Sequence, residues 1–174
     1  MKKLIFFVLV CGVMSGCTGF LGQDIHYDLP KDKTPLLKNN DVVYFQDSAT
    51  SKLDTFKLSL SDIWHQTMER NYFRYISINY DRLSQKTTFL QTNISSANEG
   101  YAGFSIVFKY SDFNSSTKSI SYKVNRVTYP SVYVVNHNAV LQSDTIPKTV
   151  YFTYPNGIIR YEYKNGRVYN LVSK

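Results

Sequence analysis

Two dipeptides near the C-terminus, Asn156-Gly157 and Asn165-Gly166, constrain this chain more than any other feature. Asn and Gly tolerate the positive φ of tight hairpin turns, so each pair marks a reversal between antiparallel strands. Between them Ile159, Tyr161 and Tyr163 alternate with Arg160, Glu162 and Lys164, which is the strand period of two. Read as two-residue turns, the pairs set Tyr154 opposite Ile159, Phe152 opposite Tyr161 and Val150 opposite Tyr163. Past the second turn they set Tyr163 opposite Val168 and Ile159 opposite Val172. All of these fall on one face, while Tyr151, Thr153, Arg160, Glu162, Lys164 and Arg167 fall on the other. Agreement of that kind is how register is normally fixed. Pro155 has no N–H and opens a second register, a type I turn with a glycine bulge that puts Thr153 opposite Ile159.

The rest of the chain is written in the same style. Aromatics make up 16% of it, with 15 Tyr and 11 Phe, and these suit a pleated, half-buried surface. Only Glu69, Glu99 and Glu162 are glutamates, so a strong helix former is scarce. Strand character appears at 42–46, 54–60, 72–80, 87–92, 101–110, 120–124 and 131–135. Phe56, Leu58 and Leu60 share a face; so do Arg74, Ile76, Ile78 and Tyr80, and so do Phe104, Ile106 and Phe108. Residues 47–51 and 112–118 read as polar turns, and 93–100 and 136–147 as loops. Residues 61–71 are the one helix candidate, with Ser61 or Asp62 as cap and Trp64 and Met68 four apart; a wide loop is the alternative. The expected fold is all-β or nearly so, with at most one short helix. It is an antiparallel meander of nine or ten strands forming an open or closed barrel or a sandwich, because one flat sheet would leave its apolar face wet.

The N-terminus carries an address. Lys2-Lys3 precede the apolar run Leu4 to Met14, and Ser15-Gly16-Cys17 follow. A charged head, an apolar middle and a small-residue end make an export signal. The run is shorter than the roughly 20 residues of a membrane-spanning helix. Met14-Ser15-Gly16-Cys17 resembles the lipobox of bacterial lipoproteins. That resemblance implies cleavage before Cys17, a diacylglyceryl group on its sulfur and an acylated amino terminus. The expected organisation is a signal peptide over 1–16, lipidated Cys17 and a flexible tether over 17–40, and one β-rich domain over 41–174. Docking of 25–29 as an edge strand is the alternative for the tether. Cys11 leaves with the signal, so the body has no disulfide. The formal charge falls from +7 to +5 as Lys2 and Lys3 leave, and no basic run remains to make nucleic acid a partner.

The lipobox, residues 44–48 leading to Asp54-Thr55-Phe56, and the closing 157–163 with 168–171 together resemble lipoproteins of Bacteroidetes bacteria, a group without an attached activity. This implies a small, exported, β-rich protein of the cell envelope, lipid-anchored and in the outer membrane. The acidic tag that some of those proteins place just after the cysteine is not found in residues 18–22.

Phosphate-cradling glycine loops, zinc-type cysteine pairs and a Gly-x-Ser-x-Gly elbow do not occur in the sequence. His26, His65 and His137 are far apart. His65 and Glu69 would share a helix face, yet two ligands fall short of a metal site, so no cofactor or metal is expected. Trp64 reads as a barrel plug or as packing under the sheet, with a sugar-stacking platform as the alternative. The expected function is non-catalytic: a lipid-anchored module that binds an envelope protein, glycan or lipid and partners the membrane through acylated Cys17. The alternative is a lipid or lipoprotein carrier or chaperone with an apolar interior lined by Phe104, Ile106 and Phe108. An envelope hydrolase ranks third and needs His65 or His137 beside a Ser or carboxylate.

Overall fold

The computed structural model describes residues 24–67, 70–85, 87–97, 101–108, 111–137 and 145–173. Among them the regular structure is strand throughout. The strands are β1 (Ile25–Tyr27), β2 (Val42–Asp47), β3 (Leu53–Gln66), β4 (Asn71–Arg82), β5 (Thr87–Ser96), β6 (Ala102–Phe108), β7 (Ser111–Val124), β8 (Val127–His137), β9 (Pro147–Thr153), β10 (Gly157–Tyr163) and β11 (Val168–Ser173). From β2 to β11 each strand pairs antiparallel with the next, and β11 pairs antiparallel with β2. The expected antiparallel meander is therefore present. β1 pairs in parallel with the first residues of β4.

The interior is filled where opposite walls meet. β5 and β10 lie five places apart in the strand order, yet the rings of Phe89 and Tyr161 are 5.4 Å apart. Phe104 on β6 stacks on Phe152 of β9 at 4.6 Å. The Tyr80 hydroxyl on β4 accepts a hydrogen bond from the Ile158 N–H on β10 at 3.0 Å. Such packing of inward side chains from opposite parts of the one sheet gives the fold its core. Period-two patterning supplies those side chains: Val43, Phe45, Phe56, Leu58, Ile78, Tyr80, Ile106 and Phe108 are all buried.

Several expectations change. The helix expected over 61–71 does not form at 61–66: β3 continues to Gln66 and pairs residue for residue with β4, Ser61 with Ser77 and Trp64 with Arg74. A one-turn cap is a local preference, and a full ladder of backbone bonds outweighs it. The polar stretch 112–118 lies within β7, whose pairing with β8 is irregular between Ser115 and Ser119. β5 likewise runs on to Ser96, into the expected loop. The ordered body also begins before residue 41. Ile25–Tyr27 form a strand, as the docking alternative anticipated, and Leu29 and Leu37 enter the core.

Both C-terminal registers differ from those expected. Gly157 pairs with Thr153 and Ile158 with Phe152, with an irregularity at Ile159 that lets Ile158 and Ile159 both be buried. The turn is held from a distance, since the Pro155 carbonyl accepts from the Leu36 N–H at 3.0 Å. At the second turn the Tyr163 N–H donates to the Arg167 carbonyl, which makes a three-residue loop with Gly166 at φ +84°. That moves the pairing one residue, so Tyr169 and Leu171 face the core and Val172 is exposed.

Candidate functional site

A hollow lies where the first residues of β3, β5 and β11 meet the last of β4, β6 and β10. Its larger part encloses about 630 Å³ and its smaller part about 280 Å³; Arg82, Gln85, Tyr163 and Arg167 line both. The larger part is walled by Lys52, Arg82 and Arg167 against a single carboxylate, Asp54.

Arg82 ends β4 and stands on the aromatic core. Its guanidinium carbon is 4.0 Å from the Phe89 ring centroid, a cation–π arrangement. Its Nη2 is 2.7 Å from the Asp54 carboxylate and donates to the Tyr163 hydroxyl at 3.2 Å. Asp54 also accepts from the buried Tyr161 hydroxyl at 2.8 Å. Burial works against the charge on Arg82, but the Tyr163 hydroxyl and Asp54 outweigh it and hold the guanidinium above its ordinary value. The buried Nε of Arg82 has no hydrogen-bond partner. Arg82 and Asp54 are both mostly buried, so the pair resists solvent screening.

Arg167 follows the Asn165-Gly166 turn and is half-exposed, whereas its partner Asp47 is buried; the two are 3.1 Å apart. Asp47 also accepts from the N–H of Ala49 at 2.9 Å and of Thr50 at 3.3 Å. Those backbone donors, ahead of Arg167, overcome burial and keep its carboxyl below the usual range. Arg167 in turn donates to the Tyr169 hydroxyl, and its bond to Asp47 raises its own pKa. Burial raises the phenol pKa values of Tyr161, Tyr163 and Tyr169, so these stay neutral donors and acceptors. The cleft thus presents fixed positive charge, hydroxyls and an amide. Those groups suit hydrogen bonding to an anionic, hydroxyl-bearing molecule.

At the other end of β3 stands a ribbon. β2 pairs with β3 only over Leu53–Lys57, and β3 then runs on to Gln66 with every side chain from Ser61 exposed. β1 and the start of β4 complete it. On one face His26 stacks on Tyr72 at 4.5 Å and meets Trp64 edge-on at 5.1 Å. On the other, Tyr27 stacks on Phe73 at 5.0 Å and His65 meets Tyr75 edge-on. Trp64 is 44% exposed, so it is neither a plug nor packed beneath the sheet. Arg74 fastens the ribbon, with two bonds to Asp62 and one to Asp28 at 2.9 Å.

Cys17 and Glu69 lie outside the described residues. His65 is on the exposed ribbon and His137 ends β8; neither lines the hollow. Phe104, Ile106 and Phe108 are drawn together, but Ile106 and Phe108 are buried and Phe104 packs on Phe152 and Tyr133. The sequence reading did not single out Asp47, Asp54, Arg82 or Arg167 as site residues. Their spacing carries no motif, because β2, β3, β4 and the turn before β11 bring them together.

No family model, curated protein or solved structure matches this chain. The geometry of the cleft and of the ribbon therefore carries the functional argument.

Proposed function

We propose that this chain is a lipid-anchored binding module of the cell envelope, held in the outer membrane through acylated Cys17, whose cleft takes an acidic saccharide and does no chemistry on it. One observation carries the choice of ligand: Lys52, Arg82 and Arg167 line a hollow of about 630 Å³, Asp54 and the buried Asp47 match only the two arginines, and the Arg167 guanidinium stays half-exposed beside Lys52. That volume suits a molecule of two or three sugar rings. A guanidinium recognises a carboxylate through paired N–H bonds, and Thr55, Ser84 and Gln85 supply bonds for hydroxyls. The ionisable groups that carry resolved shifts here all shift upward, which keeps Arg82 and Arg167 charged and Tyr163 and Tyr169 neutral. A cleft with fixed charge states favours binding over proton transfer. Against the carrier alternative stands the packing of Ile106, which is fully buried, and of Phe104 on Phe152, neither of which lines the hollow.

The test is calorimetric titration with trigalacturonic acid and, in parallel, neutral maltotriose. The reading predicts binding of the acidic sugar alone, weakened about tenfold or more by Arg167→Gln, which removes one charge-assisted contact. Equal binding of both sugars, or binding of neither, would overturn it.

A further inference from the structure

We infer that the aromatic ribbon of β1, β3 and β4 rests in the headgroup layer of the bilayer, so that the domain stands on its membrane and the Arg82 cleft faces away from it. This deepens the reading above and rests on the acylation of Cys17.

The first support is chain length. Eight residue steps separate Cys17 from Ile25, where β1 begins. Fully extended, they reach about 28 Å, and as a coil about 15 Å. The body is thus held close to the lipid, at the end where β1 lies. The expected tether to residue 40 would have allowed any orientation, but β1 is paired to β4, and Arg74 ties Asp28 to Asp62. The chain leaves the body through the ribbon itself.

The second support is the chemistry of the ribbon. Both faces of the ribbon carry apolar or aromatic groups: Trp64 beside His26 and Tyr72 on one, Ile25 and Ile63 on the face of Tyr27 on the other, with Ile25, Ile63 and Trp64 all more than two-fifths exposed. Rings with an apolar body and a polar edge are the residues that settle where one side is oily and the other wet. Arg74 is matched by two carboxylates, so the contact does not depend on anionic lipid. A shallow position also suits the ribbon's backbone. β2 leaves the side of β3 at Lys57, and groups on such an edge need water or headgroups rather than hydrocarbon.

The third support is direction. Asp54 in the cleft and Trp64 in the ribbon are ten residues apart on the same strand, about 33 Å of extended chain. A ribbon at the bilayer therefore holds the cleft well clear of it, open to ligand.

Trp64 is the sole tryptophan and so reports on the ribbon directly. The mature chain from Cys17 contains one thiol, which can be coupled to maleimide-headgroup lipid in phosphatidylcholine vesicles. That imposes the anchor chemically, whether or not the native host acylates Cys17. The expected result is a shift of Trp64 emission to shorter wavelength, with quenching by lipids brominated near the glycerol end of the chain. The shift should persist in high salt and be lost in the folded variant carrying Ile25→Asp and Ile63→Asp. An unshifted, unquenched Trp64 on attached protein would overturn the inference. So would a shift that appears only as protein density rises, which would mark ribbon pairing between copies. Failure of the anchor reading shows separately, as an unmodified Cys17 in the native product.

Discussion

Gly157 and Gly166 form a natural controlled experiment. Both have left-handed backbone, at φ +79° and +84°. A side chain at either position incurs about 1–2 kcal/mol for that conformation. Their surroundings differ. A methyl group at Gly166 would meet nothing within 4 Å, whereas one at Gly157 would lie 2.3 Å from the Tyr80 hydroxyl and 2.8 Å from Leu37 Cδ1. Tyr80 and Leu37 are both buried, so neither can swing into solvent. Displacing them costs about 1–3 kcal/mol as overpacking. Moving Tyr80 also breaks its bond from the Ile158 N–H and strands a buried donor, for about 1–3 kcal/mol more. Gly157→Ala should therefore cost about 3–8 kcal/mol and Gly166→Ala about 1–2, against a total stability of about 5–15. Urea unfolding followed by Trp64 fluorescence and circular dichroism measures both. In a Tyr80→Phe background the closest atom is gone, and the cost of Gly157→Ala should fall by about 1 kcal/mol or more. Equal costs at the two glycines, with no coupling to Tyr80, would refute the reasoning and the packing it rests on.

Other outcomes follow from the charged corner and the tyrosines. Arg82→Gln leaves Asp54 mostly buried without its cation and should cost about 3 kcal/mol, partly recovered by adding Asp54→Asn; a double-mutant cycle in urea reads the coupling. The pKa of Asp47 is lowered on folding, so its contribution is present above 3.8 and is lost as pH falls through the depressed value. The stability gap between the parent and Asp47→Asn should accordingly close in acid, as seen in urea midpoints from pH 6 down to pH 2. Burial raises Tyr80 to about 12 from 10.0, so its contribution is intact below pH 10 and lost as pH rises through 12. Tyr80 alone then removes on the order of 2–3 kcal/mol, and absorbance at 295 nm should show a late, unfolding-linked ionisation step.

What the sequence discloses is set by how local each determinant is. The period of two along Ile159, Tyr161 and Tyr163 is a property of neighbours, and all three are buried as expected. The same holds for Phe56, Leu58, Ile76, Ile78 and Ile106. Register depends on partners far away. Leu36 takes the Pro155 carbonyl across more than a hundred residues, and no pattern at 155–157 announces it. At the second hairpin a three-residue loop replaced a two-residue one, and that single step exchanged Val168 and Val172 for Tyr169 and Leu171 in the core. The site is less legible still. Arg82 and Arg167 look like ordinary strand-end cations until the meander brings β4 and β11 to one end, over Phe89 and beside Tyr163. Trp64 and Met68 suggested a helix because four-residue spacing is a helical signal. The alternation of Leu58, Leu60, Asp62 and Trp64 continued the strand through the same residues.

The claim on which the functional account turns is that lipid, attached at one sulfur, fixes this strand-built body to a membrane. Intact mass measurement of the mature protein from its native host tests it most directly. The account predicts a chain that begins at Cys17 and carries the added mass of a diacylglyceryl group and an acyl chain, both lost in Cys17→Ala. A chain trimmed at another residue, or a free thiol at Cys17, would contradict it.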